Sequence, residues 1–302
     1  MRLVVTGANG FVGRQVVALA ASEGIEVIGL VRSDAAAERV ARAGGRPARV
    51  TGFDDPGLAA AFTGAHAVIH LAQAGADRPG ALLNQVNVVG TRRVIAAAER
   101  GQAARIVHFS GLGVAHYGQT RRCTNPYFLS KVLAEAVLFE SNLEVAVFRP
   151  SYIVGPGDGF VPGTLRDMAR GEVELVGDGS YRTQPISVVD AAASALAAAS
   201  GVAERHRVFD LVGPEPITVR ALVERTGRIA RDQGKPAVFR TREIAIAEAE
   251  RQARTGGYRG MLSDELDCLL CDEVSDPRPL ESLLGRFLAP LDEALALAIR
   301  SA

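Results

Sequence analysis

Two short stretches hold side chains whose types and spacing suit chemistry. In NPYFLSK, Tyr127 stands four residues before Lys131. On a helix that spacing sets both side chains on one face, about a turn apart. A nearby ammonium favours phenolate, so the pair predicts a tyrosine pKa below its usual ~10 and a group able to give or take a proton near neutral pH. The second stretch, MRLVVTGANGFVG, places Gly7, Gly10 and Gly13 as GxxGxxG between a strand-like run and an amphipathic helix. Glycine permits a tight turn and close backbone approach, and the first amides and dipole of the helix favour a pyrophosphate there. The next strand-like run ends in IGLVRS, with Val31 and Arg32 where an NAD-preferring fold often carries an acid. A guanidinium suits a 2′-phosphate. NADP is therefore the favoured cofactor, with NAD as the alternative.

These residues need a scaffold, and the pattern supplies one. Strand-like runs at 2–6, 26–31, 67–71 and 105–110 alternate with helical patterns at 14–22, 35–43 and 82–100. Such alternation is the sequence form of βαβ units and predicts an α/β, doubly wound parallel sheet of Rossmann type. The run 145–149 reads as another strand, after which RPSYIVGPGD breaks the pattern. Residues 1–150 are expected to form the dinucleotide-binding core. Residues 151–302 then add remaining core strands interleaved with a smaller, mostly helical substrate lobe. The tail from about Ile217 reads as mostly helical, with a polar stretch near 254–259.

Composition narrows the partners. The chain has 302 residues, 48% of them hydrophobic, enough to bury a substantial core. Lysine plus arginine and aspartate plus glutamate number 34 each, so no net field draws the protein to nucleic acid or an anionic membrane. No apolar stretch is long enough to cross a bilayer, and a cytoplasmic location is expected. Cys123 stands alone, while Cys268 and Cys271 form a single CxxC without the further ligands of a structural zinc site. No metal is predicted, and the cysteines are expected to be reduced thiols on or beside a buried helical face. His70, at the strand end VIHLA, reads as a packing residue.

The ordered set TGANGFVG, VIHLAQ, NVVGT, YFLSK and RPSYIVGPGD resembles the extended or atypical short-chain dehydrogenase/reductases, the group containing NAD(P)-dependent sugar epimerases and dehydratases. The resemblance spans nearly the whole chain. It implies that Gly7, Asn9, Gly10, Phe11, Val12 and Gly13 line the cofactor's pyrophosphate and that Leu71, Ala72 and Pro150 border the cofactor. Asn87 would lie in the helix before the fifth strand. Tyr127 would be the catalytic acid/base, with Lys131 holding the nicotinamide ribose and tuning Tyr127. Helices flanking this pair often form a homodimer face in that family.

Three departures bear on the reaction. Where the family carries a catalytic serine or threonine, HFSGLGV offers Gly111 or Leu112, with Ser110 one or two residues early as the candidate hydroxyl. The loop from there to Tyr127 is short and holds His116 and Tyr117; His116 reads first as a solvated loop residue, with a substitute hydrogen-bond donor from this loop as the alternative. YRTQPISVVD brings Arg182 close to the place of a diphosphate-binding arginine. The expected function is an NAD(P)-dependent oxidoreductase acting on a carbonyl or alcohol of a small molecule. The alternatives are a nucleotide-sugar epimerase or dehydratase, and a catalytically silent dinucleotide-binding sensor or structural subunit.

Overall fold

The computed structural model describes residues 1–201 and 206–302. The first half alternates as the sequence predicts: β1 (Arg2–Thr6), α1 (Phe11–Ser22), β2 (Glu26–Val31), α2 (Asp34–Arg42), β3 (Arg46–Arg49), α3 (Leu58–Ala61), β4 (Ala67–His70), α4 (Gly90–Arg100), β5 (Arg105–Phe109), α5 (Pro126–Phe139) and β6 (Glu144–Pro150). After the short β7 (Ile153–Val154) come α6 (Phe160–Ala169), β8 (Glu172–Val176), β9 (Arg182–Thr183), β10 (Ile186–Ser187), α7 (Val188–Gly201) and β11 (Arg207–Leu211). The remainder is β12 (Ile217–Thr218), α8 (Val219–Asp232), β13 (Arg240–Ile244), α9 (Ile246–Arg254), α10 (Ser263–Leu269), α11 (Arg278–Leu284) and α12 (Leu291–Ser301).

Seven strands pair in the order β11-β6-β5-β4-β1-β2-β3, every pair parallel. The order reverses between β1 and β4, and in such sheets ligands collect outside the strand ends at that crevice. Both faces are covered, which is why the central strands read as nearly unbroken apolar runs. Leu3, Val5, Val107 and Phe148 pack toward α1 and α7, while Val4, Val68, Ile106 and Val147 pack toward α4 and α5. A separate apolar cluster, including Met168, Val173, Leu222 and Leu295, joins α6, β8, α8 and α12 into the second lobe.

Three local details depart from the sequence pattern. The segment read as one helix over 82–100 begins as a π-helical turn, Asn84–Val89, before α4. Strand β3 was not predicted because its sequence, RPAR, carries no apolar alternation; it is an edge strand, where proline is tolerated. The tail is not helical throughout, since β13 pairs with β8. Its sequence, RTREI, is mostly charged, and Arg240 and Arg242 bond across the ladder to Glu172 and Glu174. Among the described residues no helix is long and apolar enough to cross a membrane.

Candidate active site

The turn after β1 is fixed by sterics. Gly7 has φ +66°, and its amide-side neighbour Gly10 donates to the Gly7 carbonyl at 2.8 Å. A Cβ on Gly13 would lie 2.1 Å from the Gly7 oxygen, and one on Gly7 would lie 2.9 Å from the Ala72 nitrogen. No side chain caps α1. The first amides of a twelve-residue helix therefore face the crevice with the positive end of its dipole. A cradle that an added carbon would fill, floored by unclaimed amides, suits a pyrophosphate.

A buried strut holds the strand ends together. The Ala72 amide donates to Thr6 Oγ1 at 3.2 Å, and Thr6 Oγ1 is 2.7 Å from His70 Nδ1. His70 Nε2 is 3.0 Å from Thr91 Oγ1, whose hydrogen goes to the Asn87 carbonyl. The bonding order makes His70 a neutral Nε2–H tautomer that accepts from Thr6. Burial, then the Lys131 charge, lowers its pKa to about 3, so it stays neutral at physiological pH. Asn87 continues inward, bonding Ala74 in both directions and Ser130 at 2.9 Å. His70 is thus more than the packing residue read from the sequence, since it ties β1 to β4.

Helix α5 begins cleanly. Asn125 caps it by accepting the Phe128 amide at 2.9 Å, and Pro126 occupies its first turn. That puts Tyr127 at the helix mouth and Lys131 one turn deeper, fully buried, with Nζ donating to the Phe109 carbonyl at 3.0 Å. The Lys131 Nζ is 5.8 Å from the Tyr127 ring centroid. The expected lowering of the tyrosine pKa is not found. Burial first, then the neighbouring Cys268 and Glu273, pushes the Tyr127 phenol well above its ordinary value. Burial also lowers Lys131 to about 7, partly offset by Glu135.

A cavity of about 1490 Å³ runs along these elements, larger than the roughly 300–1,000 Å³ common for a small ligand alone. Gly7, Asn9, Gly10, Phe11, Val12, Gly13, Arg32, Leu71, Ala72, Ser110, Tyr127 and Pro150 all line it. Lys131 lies behind the wall, and His116 and Tyr117 lie outside the lining. Ser110 Oγ is buried with no hydrogen-bond partner among the described residues. Gly111 is the position beside the phenol, because a Cβ there would stand 3.6 Å from Tyr127 Oη. Arg32 is exposed, and the acid nearest in sequence, Asp34, pairs with Arg49.

The substrate end differs from its sequence expectation. Arg182 is not free for a diphosphate: its Nε and Nη2 both bond Asp272 Oδ2, at 3.0 and 2.8 Å. The Glu273 amide donates to the Arg182 carbonyl at 2.8 Å, and Glu273 lines the cavity. Burial raises its carboxyl to about 8, the Ser151 hydroxyl bond acting in the other direction. Sequence reasoning missed Asp272 and Glu273, which sit in DELDCLLCDE and look there like the solvated flank of a CxxC. All three cysteines are free; Cys123 and Cys271 are buried with their sulfurs 3.3 Å apart, linking the approach to α5 with the second lobe.

Residues 3–211 match the family model described as NAD dependent epimerase/dehydratase family. The chain is 30% identical over 249 residues to a 2-alkyl-3-oxoalkanoate reductase of Stenotrophomonas maltophilia, covering 74% of each protein. It is 25% identical over 228 residues to the mitochondrial NADH dehydrogenase [ubiquinone] 1 alpha subcomplex subunit 9 of Arabidopsis thaliana, covering 73% of this chain and 56% of that protein. Among solved structures, a UDP-glucose 4-epimerase from Thermotoga maritima with UDP-glucose superposes with a TM-score of 0.76 at 20% identity, covering 100% of this chain and 98% of that one.

Proposed function

This chain belongs to the NAD dependent epimerase/dehydratase family, as an NAD(P)-dependent enzyme of the short-chain dehydrogenase/reductase type, and we propose that it reduces the carbonyl of a small, largely apolar molecule with NADPH. The observation that carries this is the shared cavity, in which the glycine cradle and the Tyr127 phenol face one space. Bound in the cradle, the cofactor supplies hydride to the carbonyl carbon. The chain's part is to hold and to protonate. Gly7, Gly10 and Gly13 bring backbone to the pyrophosphate, while Leu71 and Ala72 flank it. Tyr127, kept as phenol, gives its proton to the carbonyl oxygen, so that a C=O becomes CH–OH. The phenolate left behind recovers a proton from solvent, and Lys131 in its charged form stabilises it meanwhile.

Arg32 favours NADPH: it is an exposed guanidinium at the end of β2, and no acid there is available to the ribose hydroxyls. The Arg182–Asp272 pair argues for a substrate without a diphosphate, as does the 2-alkyl-3-oxoalkanoate named for the relative. Tyr152, Phe160, Leu222, Met261 and Leu269 make the far wall apolar. Titrating NADPH and NADH by fluorescence against wild type and Arg32→Ala tests the cofactor assignment. Selective loss of NADPH binding in the variant supports it; equal affinity for both in wild type counts against it.

A further inference from the structure

Negative charge gathering on a carbonyl oxygen is stabilised by each donor aimed at it, and losing one typically costs about 10²–10³ in kcat. A Cβ on Gly111 would stand 3.6 Å from Tyr127 Oη, and glycine brings no hydroxyl there. Ser110 does not replace it, because its Oγ is shielded from the cleft. Glu273 lines the same cavity. Its backbone is fixed at both ends, the amide on the Arg182 carbonyl at 2.8 Å and the carbonyl under Ser151 Oγ at 3.0 Å. Asp272, its neighbour, is instead engaged by Arg182. Glu273 lines the cleft without an ion-pair partner among the described residues.

We propose that the Glu273 carboxyl, reaching in from the second lobe, is a catalytic residue that donates to the substrate's carbonyl oxygen the hydrogen bond Gly111 withholds. This deepens the carbonyl-reductase reading and rests on it. For the role Glu273 must keep its proton at neutral pH, and its surroundings keep it there. Burial raises the carboxyl to about 8. From α5, Tyr127 is held neutral, and from α10 and the turn after it so are Cys268 and Cys271, each pushed above its ordinary value. The charge of Arg182 is met by Asp272, and that of Glu265 by Arg78. Among the described residues no cation pairs with Glu273, and the Ser151 hydroxyl bond, which acts the other way, does not overcome burial. With two donors on the oxygen, only the Tyr127 proton is transferred, and Glu273 retains its own.

Steady-state kinetics with ethyl acetoacetate and NADPH, together with infrared difference spectra of wild type minus Glu273→Gln titrated over about pH 5 to 10, test this. Glu273→Ala should lower kcat about 10²-fold while NADPH affinity holds within about twofold. Glu273→Gln, which keeps a donor, should retain most of kcat and lose the alkaline fall that wild type shows as pH rises through about 8. Gly111→Ser should restore turnover to Glu273→Ala. In the infrared spectra the carboxylic acid band of Glu273 should persist at neutral pH and vanish near the same pH. Wild-type kcat in the Ala variant, or a Gln variant as slow as Ala, would overturn the proposal. So would a carboxylate band already present at about pH 6. A wild type inert toward the probe counts against the reductase reading itself, while the infrared titration, which needs no turnover, still decides the state of Glu273.

Discussion

At the cofactor end of the cleft, Gly13 leaves no room for one added carbon, whereas at the substrate end Arg182 and Asp272 grip each other with half of each side chain in solvent. The first end is made of backbone in close contact with backbone, on the central strands of a seven-stranded sheet. The second is made of long charged side chains on a two-residue strand and a turn. Backbone sterics admit few substitutions and one geometry; a surface ion pair can be exchanged, reversed or deleted at small cost in stability. The cofactor end of such a molecule is the more constrained of the two, and at the other end the Arg182 guanidinium is engaged by Asp272.

The comparison can be broken most sharply at Gly13. Gly13→Ala places a methyl 2.1 Å from the Gly7 oxygen, so NADPH binding should fall by more than about 10²-fold or the protein should not fold. Gly159→Ala, on the substrate side, meets nothing within 4 Å and should melt and bind as wild type. Calorimetry and fluorescence titration of the two variants check this. Next in size, Arg32→Ala should weaken NADPH roughly tenfold, as expected for losing a charge-assisted hydrogen bond, and leave NADH unchanged. Smaller still, Asp272→Ala should lower stability by less than about 1 kcal/mol. By freeing Arg182 it should also let UDP compete with the carbonyl probe, which UDP should not do in wild type.

Lys131 gives the smallest effect, with a definite sign. Its pKa is lowered to about 7 in the fold, so between there and its ordinary range near ~10.4 the folded chain binds fewer protons than the unfolded one. Stability relative to Lys131→Met should therefore rise as pH increases from about 7 toward 10, and be lost as pH falls through 7. Melting curves of the two proteins across that window measure it. A difference that is flat with pH would mean that Lys131 stays charged in the fold.

What could be read in the sequence follows the same division. Gly7, Gly10, Gly13, Tyr127 and Lys131 stand out in the sequence because they fall at set intervals on or beside regular elements, and a period or an interval is a one-dimensional signal. The main sheet was legible for the same reason, apart from its edge strand β3; β13, paired with β8 outside that sheet, is likewise polar and held by ion pairs. Asp272 and Glu273 were not legible. Their meaning comes from lying against Arg182, ninety residues away in the chain for Asp272, and no local pattern encodes that meeting. The pKa of Tyr127 was misjudged because spacing shows that Lys131 is near but not that burial outweighs its charge.

We propose that one cleft binds NADPH and uses the Tyr127 phenol to protonate a carbonyl oxygen. The most direct test is NADPH oxidation with a panel of β-keto esters and aryl aldehydes by wild type and Tyr127→Phe, with cofactor affinity measured on the same samples. Turnover is expected in wild type, with a drop of about 10²–10⁴-fold in the variant and NADPH affinity unchanged within about twofold. Equal turnover in both proteins would remove Tyr127 from the chemistry, and tight NADPH binding with no turnover of any carbonyl in wild type would make the chain a binder of dinucleotide rather than a reductase.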